Sequence, residues 1–155
     1  MSFPVVGVKA PTFKLQNQRG EWVRLSDFKG KKVVVYFYPK AMTPGCTTQA
    51  CGIRDSASSY DAANVIVLAI SPDPFERLKK FEDKHGLNFT LLSDEDHAVA
   101  ESYGVWGLKK FMGREFMGVN RVTFIVDEEG ALLHVMEKVK TASHHEDVLS
   151  CIQNL

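Results

Sequence analysis

The chain has 155 residues, 45% of them hydrophobic and 25% charged, with 19 basic residues against 19 acidic ones. Those proportions suit one globular domain over residues 1–155, long enough to bury a core without disulfide staples. The charge balance excludes the electrostatic footprint of a nucleic-acid or acidic-membrane binder, and no apolar run approaches the roughly 20 residues of a membrane span. The start, Met1-Ser2-Phe3-Pro4, lacks the charged-then-apolar pattern of a secretory signal. Three cysteines are too few and too odd for an extracellular disulfide framework, which points to a reducing, cytoplasmic setting.

The elements follow in chain order. Residues 12–16 and 22–25 alternate polar and apolar around Gln18-Arg19-Gly20, the pattern of a β-hairpin. Ser26-Asp27 starts a short turn or helix closed by Gly30. Val33-Val34-Val35-Tyr36-Phe37 is too short for a helix and rich in β-branched and aromatic residues, so it predicts a buried central strand. Pro39 ends that strand. Thr43 followed by Pro44 predicts a helix start, with the proline at the first helical position, and the helix runs to about Ala63. Val65–Ser71 is a second buried strand. Pro74–His85 has helical spacing through Phe75, Leu78 and Phe81, with Gly86 as its stop. A short strand at 89–92 precedes a helix over 96–103, capped by Ser93 or Asp94 and ended by Gly104.

Residues 105–119 show no clear period. Phe111-Met112-Gly113 recurs there as Phe116-Met117-Gly118, which reads as a loop held by two aromatics, and Trp106 reads as a loop anchor or a pocket wall. Strands at 122–126 and 131–136 flank the turn Asp127-Glu128-Glu129-Gly130, and a last helix begins at Ser143 or His144. Strands that alternate with helices demand a parallel core, and the closing hairpin adds antiparallel strands. The result is an α/β fold, a mixed sheet with helices on both faces.

The chemistry concentrates in Phe37–Cys51, which holds two of the three cysteines. With Thr43 as N-cap, Cys46 is the third helical residue, where the free N–H groups and the helix dipole favour thiolate, the nucleophilic form, over thiol. Gly45 lets a small molecule approach the backbone and Thr43 offers a hydroxyl. Cys51 stands five residues on. In an ideal helix that spacing puts the two Cα atoms about 8.6 Å apart on opposed faces. A disulfide needs them within about 7 Å. The pair bonds only if the helix opens, which places local unfolding within 43–55 of an oxidised form. Gly52 is either a weak point in this helix or a close-packing contact. Cys151 shares an apolar stripe with Val148 and Ile152 and reads as core. Of five histidines, His144 and His145 are adjacent and His85, His97 and His134 scattered, without zinc spacing, and Asp94-Glu95-Asp96 lacks the glycine and closing glutamate of a calcium loop.

Pro39-x-x-x-Thr43-x-x-Cys46, directly after a buried strand, resembles the active-site motif of the peroxiredoxins. The longer run Tyr36–Asp55 resembles the bacterioferritin comigratory protein, or peroxiredoxin Q, branch. The likeness extends to Gly7-x-x-Ala10-Pro11-x-Phe13, Asn88–Asp94, Gly104–Gly107 and Arg121–Ile125. This resemblance implies a thioredoxin-like fold with an N-terminal β-hairpin extension. It implies reduction of hydrogen peroxide and organic hydroperoxides with no metal, haem or flavin as cofactor. Cys46 would be the peroxidatic cysteine, attacking the O–O bond to give a sulfenic acid. Pro39 would shield it, Thr43 would hydrogen-bond among the thiolate and peroxide oxygens, and Arg121 would hold the charge spread over S–O–O. The N–H groups of Gly45 and Cys46 would add to that hold. Cys51 would be the resolving cysteine, giving an intrachain disulfide reduced by thioredoxin or a glutaredoxin-like donor. The branch also implies a monomer.

Two other functions compete. A thioredoxin-type disulfide oxidoreductase would share the fold, but Cys-x-x-Cys is absent and the helix separates the cysteines. A redox-regulated holdase would need an exposed apolar stripe, which the composition does not suggest.

Overall fold

A computed structural model describes residues 2–155. The N-terminal hairpin forms as β1 (Lys14–Asn17) and β2 (Trp22–Arg24), and a 3-10 helix follows over Leu25–Phe28. Then come β3 (Lys32–Phe37), α1 (Pro44–Asp55), α2 (Ala57–Ala62), β4 (Val65–Ser71) and α3 (Phe75–His85). The chain continues through β5 (Thr90–Ser93), α4 (Ala98–Ser102), β6 (Trp106–Phe111) and β7 (Arg114–Val119). It closes with β8 (Val122–Val126), β9 (Leu132–Met136) and α5 (His144–Gln153). Seven strands form one sheet in the order β2-β1-β5-β4-β3-β8-β9. Strands β3, β4 and β5 run parallel; β1, β8 and the β8–β9 hairpin join antiparallel.

Strand parity explains why β3 reads as an unbroken apolar run. Val33, Val35 and Phe37 enter one core, and Val34, Tyr36 and Tyr38 enter the other. Both faces are covered, so neither set can be polar. Helices α1, α2, α3 and α5 cover the second face through Ala50, Ile53, Tyr60, Leu78, Phe81, Val148 and Ile152. The first face is closed by α4 with Val99 and Ala100, and by Ala10, Phe13 and Leu25 from the N-terminal part.

Three sequence expectations need correction. The helix expected from Thr43 to Ala63 is two helices, interrupted at Ser56, whose ψ of 10° bends the path between α1 and α2. The segment 105–119 is a second, separate two-stranded sheet, β6 paired with β7, where a loop was expected. Its turn puts both Met112 (φ 51°) and Gly113 (φ 76°) in the left-handed region, as a tight two-residue hairpin turn requires. The two aromatics do not anchor it: Phe111 is 67% and Phe116 46% exposed. This hairpin carries apolar residues on both faces, which erases the alternation that identifies a strand. Trp106 does act as an anchor, stacked on the His97 ring with centroids 3.8 Å apart.

The first core is centred on Phe124, fully buried against Phe37, Tyr103 and Phe3 at centroid distances of 5.8, 4.9 and 6.1 Å. Phe124→Ala should lower stability by about 3–5 kcal/mol in urea unfolding. A loss under about 1 kcal/mol would contradict this packing.

Candidate active site

The loop between β3 and α1 carries Pro39 and Thr43 and is fixed from below by α3. Ala41 is completely buried. Its N–H donates to Asp73 Oδ2 at 2.8 Å, and its carbonyl accepts from Arg77 Nη2 at 2.8 Å. Asp73 is itself held by Ser71 Oγ at 2.8 Å and paired with Arg77 Nε at 3.2 Å. This clamp holds both backbone polar groups of one residue, on two successive peptide units, so the loop enters α1 in a single geometry. Next in the chain, Met42 is in the left-handed region at φ 67°.

Thr43 stands at the N-cap position with an extended backbone, but its side chain does not cap the helix. Its hydroxyl donates instead to the carbonyl of Lys40 at 2.8 Å. The first helical hydrogen bond is Thr47 N–H to Thr43 O at 2.9 Å, so the N–H groups of Gly45 and Cys46 lie ahead of it without intrahelical partners. Cys46 is 2% exposed. Arg121 Nη2 donates to its Sγ at 3.1 Å, and Arg121 Nη1 donates to Gln49 Oε1 at 2.9 Å. Gln49 is one turn after Cys46 on the same face of α1.

Arg121 arrives by strand parity. It precedes β8 by one residue and has the parity of Thr123 and Ile125. Ile125 faces the core beneath α1 and α5, whereas Val122, Phe124 and Val126 face the other. Pairing of Phe37 with Val122 sets the register that places Arg121 over the start of α1. Gly45 makes room: a Cβ there would lie 3.1 Å from Arg121 Nη2. A second cation, Lys109 on β6, is half-buried and donates to Val119 O at 2.8 Å. Burial lowers its pKa most, the Arg121 charge lowers it further, and Cys46 raises it.

The three cysteines are free thiols. Cys51 lies on the same continuous helix as Cys46 and is partly exposed. Gly52 proves to be a packing contact, since a side chain there would run into the His145 imidazole of α5. Cys151 packs at the edge of the second core, and burial raises its thiol pKa. Among the described residues no group of three or more His, Cys, Asp or Glu is placed to hold a metal ion, and no helix is long and apolar enough to cross a membrane.

The matched family model is AhpC/TSA, over residues 6–135. The chain belongs to the AhpC/TSA family. It is 54% identical over 150 residues to a bcp peroxiredoxin of Haemophilus influenzae, covering 97% of each chain. Peroxiredoxin Bcp of Escherichia coli is also 54% identical, over 93% of this chain and 92% of its own. Among solved structures, the fold is similar to a Xanthomonas campestris bacterioferritin comigratory protein. That match has a TM-score of 0.89 and 30% identity over 97% and 98% of the two chains. A Xylella fastidiosa peroxiredoxin Q matches with a TM-score of 0.93 and 26% identity over 99% and 98%. This peroxiredoxin has the thioredoxin-like fold of its relatives and is an oxidoreductase, a thiol peroxidase.

Asp73, Arg77, Gln49 and His144 escaped sequence reasoning. None has a motif of its own; each is recognisable only by what it touches. His144 is fully buried at the start of α5. Burial above all pushes its pKa down from 6.5 to about 4. Between those values the unfolded chain binds a proton that the folded one refuses, so folding stability falls as pH drops through this window. The expected slope from this group is about 1.4 kcal/mol per pH unit. Urea midpoints at pH 7 and pH 5 should show it in the wild type and show a shallower dependence in His144→Asn.

Proposed function

We propose that Cys46 is the peroxidatic cysteine of this enzyme, that Arg121, Thr43 and Pro39 serve it, and that Cys51 is the resolving cysteine. The observation that carries the reading is Arg121 Nη2 at 3.1 Å from Cys46 Sγ, at a helix start with unpartnered N–H groups. The guanidinium and the helix dipole both stabilise sulfur as thiolate, and both remain in place for the transition state. The Cys46 thiolate attacks one oxygen of the hydroperoxide and the O–O bond breaks. Sulfur is oxidised to sulfenic acid, and the departing oxygen takes a proton to leave as water or alcohol. In the transition state of that step negative charge spreads over S–O–O, where a fixed guanidinium and backbone N–H groups stabilise it most. Pro39 excludes water from the sulfur, and Thr43 orients the peroxide once its hydroxyl turns from the Lys40 carbonyl. No metal, haem or flavin takes part.

Cys51 then attacks the sulfenic sulfur, water leaves, and an intrachain Cys46–Cys51 disulfide forms. This requires α1 to open, because an intact helix holds the two Cα atoms about 8.6 Å apart. An external dithiol, thioredoxin or a glutaredoxin-like protein, reduces the disulfide. The substrates are hydrogen peroxide and organic hydroperoxides, in keeping with the alkyl peroxide reduction activity named for the Xanthomonas relative. We place the enzyme in the cytoplasm as a single-domain monomer active in antioxidant defence.

Peroxide consumption with a thioredoxin system tests the assignment. Cys46→Ser should abolish turnover, and full activity in that variant would sink the mechanism. Cys51→Ser should react once and stall as sulfenic acid. Arg121→Ala should slow the peroxide step by about 100-fold or more. Hydrogen exchange should be fast across 43–55 in the disulfide form and slow there in the dithiol form. Equal protection of the helix in both forms would refute the opening step.

A further inference from the structure

His144 is a buried ring with two hydrogen bonds and no part in the chemistry above. Its Nδ1 lies 3.2 Å from Gln49 Nε2, and its Nε2 lies 2.8 Å from Thr123 Oγ1. The ring stands edge-on to Tyr36, centroids 5.0 Å apart. Its tautomer follows by elimination. Arg121 has only donors, so Gln49 must turn its oxygen to Arg121 and its amino group to His144. Nδ1 must then be the bare acceptor, and the ring proton must sit on Nε2 and go to Thr123 Oγ1. Each contact from Thr123 through His144, Gln49 and Arg121 to Cys46 pairs a donor with an acceptor only in that state.

We propose that His144 is a positioning residue for peroxide reduction: as the neutral Nε2–H tautomer it locks the Gln49 amide, which in turn aims the Arg121 guanidinium at the Cys46 sulfur. The proposal rests on the roles of Cys46 and Arg121 given above. The two ends of a glutamine amide are nearly the same size, so packing alone does not choose between them. Without an acceptor at the position of Nδ1, the amide is free to turn its amino group toward Arg121, and donor then faces donor. A protonated His144 would have the same effect. The groups facing the ring from its surroundings disfavour that proton on balance. Burial opposes the charge first, Arg121 ahead of β8 and His145 on α5 add to the opposition, and only Asp147 on α5 favours it. Tyr36 from β3 and Gln49 from α1 complete the surroundings without charge. The C-terminal helix thus belongs to the reaction site, although no residue of it touches the sulfur in this network.

The test is the second-order rate of the reduced enzyme with hydrogen peroxide at pH 7, by stopped flow, with thermal midpoints measured alongside. His144→Leu fills the space of the ring but removes the acceptor. His144→Asn keeps an oxygen near the former Nδ1. The expected result is a loss of about 10-fold in His144→Leu, smaller than removal of the guanidinium itself, and a rate near wild type in His144→Asn. Wild-type rates in both variants, or rates that follow the thermal midpoints instead of the acceptor, would overturn the proposal. Arg121→Ala is the control: if it reacts as fast as wild type, the reading of the active site fails first, and this proposal with it. Nitrogen-15 imidazole shifts in the wild-type enzyme need no variant to fold. They should report His144 as the Nε2–H tautomer, and an Nδ1–H tautomer would refute the assignment.

Discussion

The site depends on one contact, the 3.1 Å hydrogen bond from Arg121 Nη2 to Cys46 Sγ. It joins residues 75 positions apart in the chain. Each neighbouring feature serves to hold one end of it. The clamp of Asp73 and Arg77 on Ala41 fixes where α1 begins. The antiparallel register of β8 on β3 fixes where Arg121 emerges. Gly45 removes the side chain that would crowd the guanidinium, and Gln49 takes the Arg121 N–H group that the sulfur does not. A cation bound at one point can swivel; one bound at sulfur and amide together has its plane defined.

In the mechanism proposed above, the same helix has two tasks that oppose each other. Peroxide chemistry needs α1 folded, since its free N–H groups and its dipole act on the sulfur only when the first turn is formed. Disulfide formation needs the turn to open. The contacts with α5 oppose that opening: Gln49 on His144 and Gly52 against His145. These are polar or glancing contacts, whereas Ala50 and Ile53 bury apolar surface in the second core. The opening step proposed above has to give up both kinds of contact, the polar ones to α5 and the apolar ones of Ala50 and Ile53.

Much of the architecture was legible in the chain. The apolar runs of β3, β4 and β8, the turns at Gln18–Gly20 and Asp127–Gly130, and Gly86 as a helix stop are local signals with local causes. The break at Ser56 and the strands β6 and β7 were not legible, because a bent helix keeps its residue preferences and a hairpin with apolar residues on both faces has no alternation. Thr43 shows a different limit. The sequence pointed rightly to a helix start there, but the hydroxyl bonds to Lys40 O because the preceding loop folds back within its reach.

By itself the sequence determined the fold class, the position of a cysteine at a helix start, and the separation that bars Cys46 from Cys51 while that helix lasts. All three follow from spacing along the chain, which backbone geometry converts directly into distance. Only the tertiary structure decided that Gly52 is a packing contact, that Asp73 and Arg77 hold the loop between β3 and α1, and that Gln49 and His144 stand behind Arg121. Those relations join segments far apart in sequence. Their hydrogen-bond directions are set by what each donor and acceptor finds opposite it after the sheet has assembled.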